Sequence, residues 1–240
     1  MGLLLFIVLH WYLSLFFQSV FHHRYAAHNL FSMSPRWEKV FFVSCFLTQG
    51  SSYISARTYG IMHRLHHTFT DTENDPHSPH YSANFFAMML DTRNSYNDIH
   101  IGKVVSGDAY TKNLPVWDSF EKFAHNWVTR VAWGIIYLII YMQLATHWWM
   151  YLFLPLTLAM GAFQGIMINW WAHKFGYRNF SVDNTSKNIL PVDLLFWGEA
   201  YHNNHHKFPG RPNNAVKWFE IDFGYLSMYV LQKLHVIKMN

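Results

Sequence analysis

At 240 residues the chain fits one domain, or one membrane bundle with a cap. Charged side chains make up 13% and aromatics 19%, against an ordinary charged share of about 25%, and mean hydropathy is near zero, a balance that points to a membrane protein with a polar half. The net charge of +4 comes from scattered Lys and Arg without a basic stripe, which argues against nucleic acid as a partner, and the single cysteine, Cys45, excludes an internal disulfide.

Gly2 to Phe21 carries no Asp, Glu, Lys or Arg, so a first spanning helix is expected over about 2–21. It lacks the basic start of a signal peptide. The polar stretch after it holds His23 and His28 in His-Arg-Tyr-Ala-Ala-His. A second apolar run, about 38–56, includes Ser44, Thr48, Gln49, Ser51 and Ser52 and ends seven residues before His63. If this run crossed the membrane, His23 and His63 would lie on opposite faces. It is therefore expected to lie along one leaflet or dip into it, with its polar residues facing protein.

His63, His66 and His67 follow in His-Arg-Leu-His-His, and Thr70 to His80 reads as a loop. From Val131 to His173 no charged residue other than histidine occurs, which is long enough for two passes. The expectation is a helical hairpin, about 127–146 and 148–169, with a kink at Pro155. His173 closes it, with Asn169 one helical turn earlier on the same face. His202, His205 and His206 form a second His-x-x-His-His, and Asn214 to Ile237 is expected to form an amphipathic helix. Basic residues gather near the histidine ends of the spans, Arg24, Arg36, Lys39, Arg57, Arg130, Lys174 and Arg178 among them. The positive-inside rule then places the boxes and C-terminus in the cytoplasm and the N-terminus outside. The fold class is thus an all-α integral membrane protein over residues 1–240, with three spans, one interfacial apolar helix and a cytosolic helical cap.

On a helix, His-x-x-His-His puts all three imidazoles on one face. Imidazole holds transition metals near neutral pH, and eight clustered histidines are too many for one ion, so two metals are the economical reading. An apolar, aromatic scaffold implies a lipid-like substrate, and attack on an unactivated C–H bond calls for iron and dioxygen. Asp75, Asp183, Asp193 and Glu199 are expected to orient imidazole N–H groups.

These motifs resemble the membrane-bound fatty acyl desaturases, in particular the group containing acyl-CoA delta-9 desaturases. The resemblance runs from about Phe17 to Val236. It rests on the three boxes, on Asp71-Thr72-Glu73-Asn74-Asp75-Pro76-His77, on Asn169 to His173 with Gly176-Tyr177-Arg178, on Gly198-Glu199-Ala200-Tyr201 before the last box, and on Trp218-Phe219-Glu220-Ile221-Asp222. It implies a diiron centre held by His23, His28, His63, His66, His67, His173, His202, His205 and His206, with Asn169 acting through water. His23 is preferred to His22 because only it gives the family's five-residue step to position 28. The implied reaction spends dioxygen and two electrons to make a cis double bond in a long acyl chain, delta-9 by the closest group, carried as acyl-CoA or acyl-lipid. The electrons come from ferredoxin or cytochrome b5, here a separate protein because no His-Pro-Gly-Gly haem motif occurs. Members usually carry a helical hairpin before the first box, whereas one span precedes it here. A native three-span form, in a bacterial inner membrane, is the expectation. Arg57, Lys103, Lys112 and Arg211 are candidates for head-group contact by charge and side. A membrane diiron hydroxylase and, more remotely, a metal carrier are the competing readings.

Overall fold

A computed structural model describes residues 1–104 and 107–240. The charge-free N-terminal segment forms α1 (Gly2–Phe17), and the helix continues without a break into a π-helical segment, Gln18–Ala27. Together they make a 26-residue apolar rod, long enough to cross a bilayer. The first box lies on the π-helical part. An α-helix turns about 100° per residue, so a five-residue step would set His23 and His28 about 140° apart. The wider π turn closes that gap, and the His28 N–H donates to the His23 carbonyl.

After a short strand, β1 (Phe31–Met33), Ser34 caps α2 (Pro35–Gln49), its hydroxyl accepting from Trp37 N–H, with Pro35 in the first turn where its missing N–H costs nothing. At 15 residues, about 22 Å, α2 is too short to cross. It starts and ends earlier than the expected 38–56. Phe41 packs on Phe17 and Phe21 near the first box, while Gly50, at the far end, sits on Tyr137. Gly50 has φ +53°, and a side chain there would collide with the Tyr137 ring, so the reversal needs glycine. The chain turns through Gly50–Ser52 and climbs back into α3 (Ala56–Phe69), capped by Ser55 and carrying the second box.

The cap then adds α4 (Phe85–His100), α5 (Asp108–Thr111) and α6 (Asp118–Ala124). Asn126 caps α7 (Trp127–Leu144), the second helix long and apolar enough to span. The return passage is broken. A 3₁₀ turn (Trp148–Phe153) and α8 (Leu154–Leu158) meet α9 (Met160–Ala172) at a 72° bend. Pro155 initiates α8, where proline is at home, so the bend falls at Ala159 instead of the proline. Two helices could therefore span, or three if the bent pair is one passage.

The second half of the cap is less helical than expected. Only α10 (His202–Lys207) and α11 (Phe223–Lys233) are helices after His173, and the expected 214–237 helix is shortened because Asp222 caps it, accepting from Tyr225 N–H. The chain ends in β2 (Ile237–Met239), antiparallel to β1, a two-stranded ribbon without an alternating signal in the sequence. An aromatic core of Phe21, Phe31, Phe42, Phe46, Tyr53 and Phe120 ties the π segment to α2 and α6.

Candidate metal centre

All nine expected histidines converge, in two groups. His23, His28, His63, His67 and His205 form one; His66, His173, His202 and His206 form the other. The first box lies wholly in the first group, and the second and third boxes are each split between the two. On α3, His63 and His67, one turn apart, face the first group, while His66 faces the second; on α10, His202 and His206 face the second and His205 the first. Both helices thus contribute to both groups, and the pattern His-x-x-His-His is what lets one helix serve two sites.

The Nε2 atoms point inward. In the first group His63 Nε2 lies 2.9 Å from His28 Nε2 and 3.0 Å from His67 Nε2, and His205 Nε2 lies 2.9 Å from His67 Nε2 and 3.1 Å from His23 Nε2. In the second, His202 Nε2 lies 3.1 Å from His173 Nε2 and 3.0 Å from His206 Nε2, with His66 Nε2 3.3 Å from His206 Nε2. At a metal–nitrogen length of about 2.1 Å, neighbouring ligands of an octahedral ion stand about 3.0 Å apart.

The opposite edges of the rings say which tautomer is present. His23 Nδ1 is 2.7 Å from Glu199 Oε2, His66 Nδ1 is 2.9 Å from Asp75 Oδ1, and His173 Nδ1 is 3.3 Å from Asp71 Oδ1 and 3.2 Å from Thr185 Oγ1. Asp75 accepts a hydrogen bond from His66 Nδ1–H, and Glu199 and Asp71 lie beside the Nδ1 edges of His23 and His173, which favours the tautomer that leaves Nε2 bare. Burial first, and neighbouring imidazoles second, push His28, His63, His66, His67, His202, His205 and His206 well below the usual 6.5, so added protons cannot neutralise those lone pairs. Bare nitrogens crowded at about 3 Å repel unless a cation lies among them, so the residues fit a pair of transition-metal ions.

Glu199 is part of a buried charge network. Its carboxylate accepts from Arg24 Nη1 at 2.5 Å and from Ser19, and Arg24 Nη2 donates to both Asp222 oxygens at 3.0 Å. Burial alone would raise the Glu199 carboxyl, but His23 and Arg24 outweigh it and hold it at about 2. Gly198 makes room: with φ +91°, a side chain there would strike the Asp222 carboxylate and the Arg24 guanidinium.

Asn169 borders a cavity of about 30 Å³ together with His23, His63, His202, Glu199 and Tyr59, between the two groups. That volume admits a water molecule, and it is far below what an acyl chain needs. A second concavity, about 730 Å³, is a surface groove along the β1–β2 ribbon, lined by none of the nine converging histidines.

Some expectations need correction. Asp193 touches no imidazole: its carboxylate accepts the N–H groups of Leu195, Phe196, Gly198 and Ala200 and knots the loop before the third box. Asp183 is exposed. The acid on His173 is Asp71, where burial would raise the carboxyl but His173 and Thr185 hold it well below the usual range. Its signal was present in Asp71-x-x-x-Asp75, a four-residue step leaving the second box. His22 turns the other way, Nε2 to the Ile54 carbonyl at 3.0 Å. His77 is buried, stacks on His66 at 4.2 Å between ring centroids, and makes no hydrogen bond through either ring nitrogen among the described residues.

The sequence matches the fatty acid desaturase family over residues 1–222. The chain belongs to that family. It is 28% identical to a delta-9 acyl-lipid desaturase 1 of Arabidopsis thaliana over 223 residues, 91% of this chain and 68% of the relative. It is 27% identical to an sn-1 stearoyl-lipid 9-desaturase of Anabaena variabilis over 225 residues, 88% and 74% of the two chains. A hex-5-enoyl acyl-carrier protein acetylenase of Moorena producens is 26% identical over 249 residues, covering 95% and 73%. A desaturase is an oxidoreductase, and the histidine groups are compatible with its metal centre.

Proposed function

We propose that this desaturase inserts a cis delta-9 double bond into the acyl chain of a membrane lipid, using two irons held by five and four histidines. The observation that carries the reading is the convergence of nine imidazoles, six of them buried and three half-buried, into two groups, with carboxylates beside the outer edges of three of them. When bound, the iron pair supplies oxidising power sufficient for an unactivated C–H bond, with dioxygen and two electrons as co-reactants. The chain's own residues do the rest. Glu199, Asp75 and Asp71 orient the rings and keep the protons on Nδ1; Asn169, beside the small cavity, acts through water; and burial excludes bulk water from the centre.

The acyl-lipid carrier is preferred to acyl-CoA because relatives over most of the chain are named acyl-lipid or stearoyl-lipid desaturases. The electron donor is a separate ferredoxin or cytochrome b5 type protein. The charge asymmetry supports a cytoplasmic site and C-terminus in a bacterial inner membrane.

Expression in a host whose lipids are fully saturated tests the reading. A new double bond at carbon 9, with two irons per purified chain, is the expected result. A hydroxylated chain would move the assignment to a hydroxylase, and unchanged lipids would remove the enzymatic reading.

A further inference from the structure

Between Ile189 and Tyr201 the chain forms no helix, yet part of it lies alongside a helix that spans. Tyr12 Oη–H donates to the Leu194 carbonyl at 3.0 Å and Trp11 Nε1–H to the Leu195 carbonyl at 3.1 Å. The depth of those two aromatics can be read from α7. Tyr137 meets His10, the neighbour of Trp11, at 3.2 Å, and from Trp127 at the cap end of α7 down to Tyr137 is about 15 Å at 1.5 Å per residue. That is half of a hydrocarbon core of about 30 Å.

The loop is built for such a place. Phe196 is buried against Leu15 and Ile168, while Val192, Leu194 and Leu195 are 44%, 58% and 50% exposed. Leu5, Leu9 and Leu13, on the α1 stretch that holds Trp11 and Tyr12, are likewise exposed. The loop's one charged side chain, Asp193, is fully buried and accepts four backbone N–H groups, its own N–H donates to Tyr201 Oη, and Pro191 has no N–H to lose. Non-helical backbone at membrane depth needs protein partners for its polar groups, and here the N–H groups of Asp193, Leu195 and Phe196 and the carbonyls of Pro191, Leu194, Leu195 and Phe196 have them.

We propose that the Leu190–Phe196 loop is re-entrant, dipping into the bilayer beside α1 so that Val192, Leu194 and Leu195 contact lipid acyl chains. The inference rests on the reading that α1 and α7 cross the bilayer. Its occupant is the acyl-chain region of the surrounding membrane, because the exposed side chains are all aliphatic and adjoin a lipid-facing helix. The same loop runs directly into Glu199 and His202, so it joins the lipid phase to the metal centre.

The test uses the full-length protein with Cys45→Ser, single cysteines at Val192, Leu195, Leu9 and Asp183, an environment-sensitive fluorophore on each, and phosphatidylcholine proteoliposomes. Lipids spin-labelled in mid-chain should quench positions 192 and 195 within about twofold of position 9, while aqueous iodide quenches only position 183. Iodide quenching at both 192 and 195, with position 9 still lipid-quenched, overturns the loop alone. If position 9 also behaves like 183, the spanning assignment of α1 falls and takes the proposal with it. Two loop positions guard against one label disturbing the fold.

Discussion

The two histidine groups look alike from inside and differ behind. The first has five imidazoles, carried on the π segment, α3 and α10, and its outer brace is a balanced network: Glu199 and Asp222 against Arg24, leaving one negative charge. The second has four imidazoles, and its braces, Asp71 and Asp75, have no Lys or Arg partner among the described residues and leave two negative charges. One fewer neutral ligand is thus matched by one more anionic charge nearby. Ligand count and the field of the surroundings are alternative ways of holding a dication, and this protein uses them in different proportions at two adjoining places.

The most severe way to break the comparison is to take one imidazole from each side. His67→Ala removes a ligand from the first group and His206→Ala from the second; both should abolish product, while iron content falls from two to about one per chain. Normal activity in either variant would eliminate the two-metal assignment. Next in size is Arg24→Gln, which leaves Glu199 and Asp222 buried without their cation. Breaking such a network costs about 3–5 kcal/mol, so the unfolding temperature in detergent should drop sharply. The matching removal of Asp75 (Asp75→Asn) should barely move it, because no buried cation loses its partner.

Acid should also separate protein stability from metal retention. Burial holds His28, His63, His67 and His205 of the first group and His66, His202 and His206 of the second well below 6.5 when folded, whereas unfolded imidazoles titrate near 6.5, so below that pH the unfolded chain binds more protons and stability falls as pH falls. Metal-stripped protein should therefore lose unfolding temperature steadily from pH 7 to pH 5, and metal-loaded protein should hold it longer. Identical pH profiles for the two forms would mean that the imidazoles are not the groups a metal protects.

How much of this was legible in the sequence follows from what kind of interaction each feature is. Eight of the nine histidines showed because their spacing is local, in three-, one- and five-residue steps; His173 stood alone and showed by its place at the end of an apolar run. That α2 is too short to cross agrees with one geometrical requirement, that His23 and His63 meet. The braces were harder. Arg24 read as a topology signal at a membrane edge, since nothing nearby reveals that Asp222, almost 200 positions on, will bury it. Asp193 and Asp71 were exchanged in importance because an acid near a box looks the same whether it binds a ring or a knot of backbone N–H groups. The ribbon and the bend at Ala159 came from tertiary packing, which overrides the local signal of Pro155.

The finest test asks whether the second group depends on its acids in the way the comparison requires. Asp71→Asn removes one of its two negative charges and should lower metal affinity there about 10–100-fold, as loss of an imidazole's outer partner does elsewhere. Thr185→Val should do less. Its hydroxyl lies 2.8 Å from Asp71 and 3.2 Å from His173, but its backbone N–H still holds Asp71 at 2.6 Å, so the charge stays and only one hydrogen bond is lost. At about 1 kcal/mol that is a several-fold weakening, confined to the second metal in a stepwise titration. Equal weakening at both metals would show that Thr185 acts on the fold as a whole. A loss as large as that of Asp71→Asn would show that geometry, and not charge, holds the second ion.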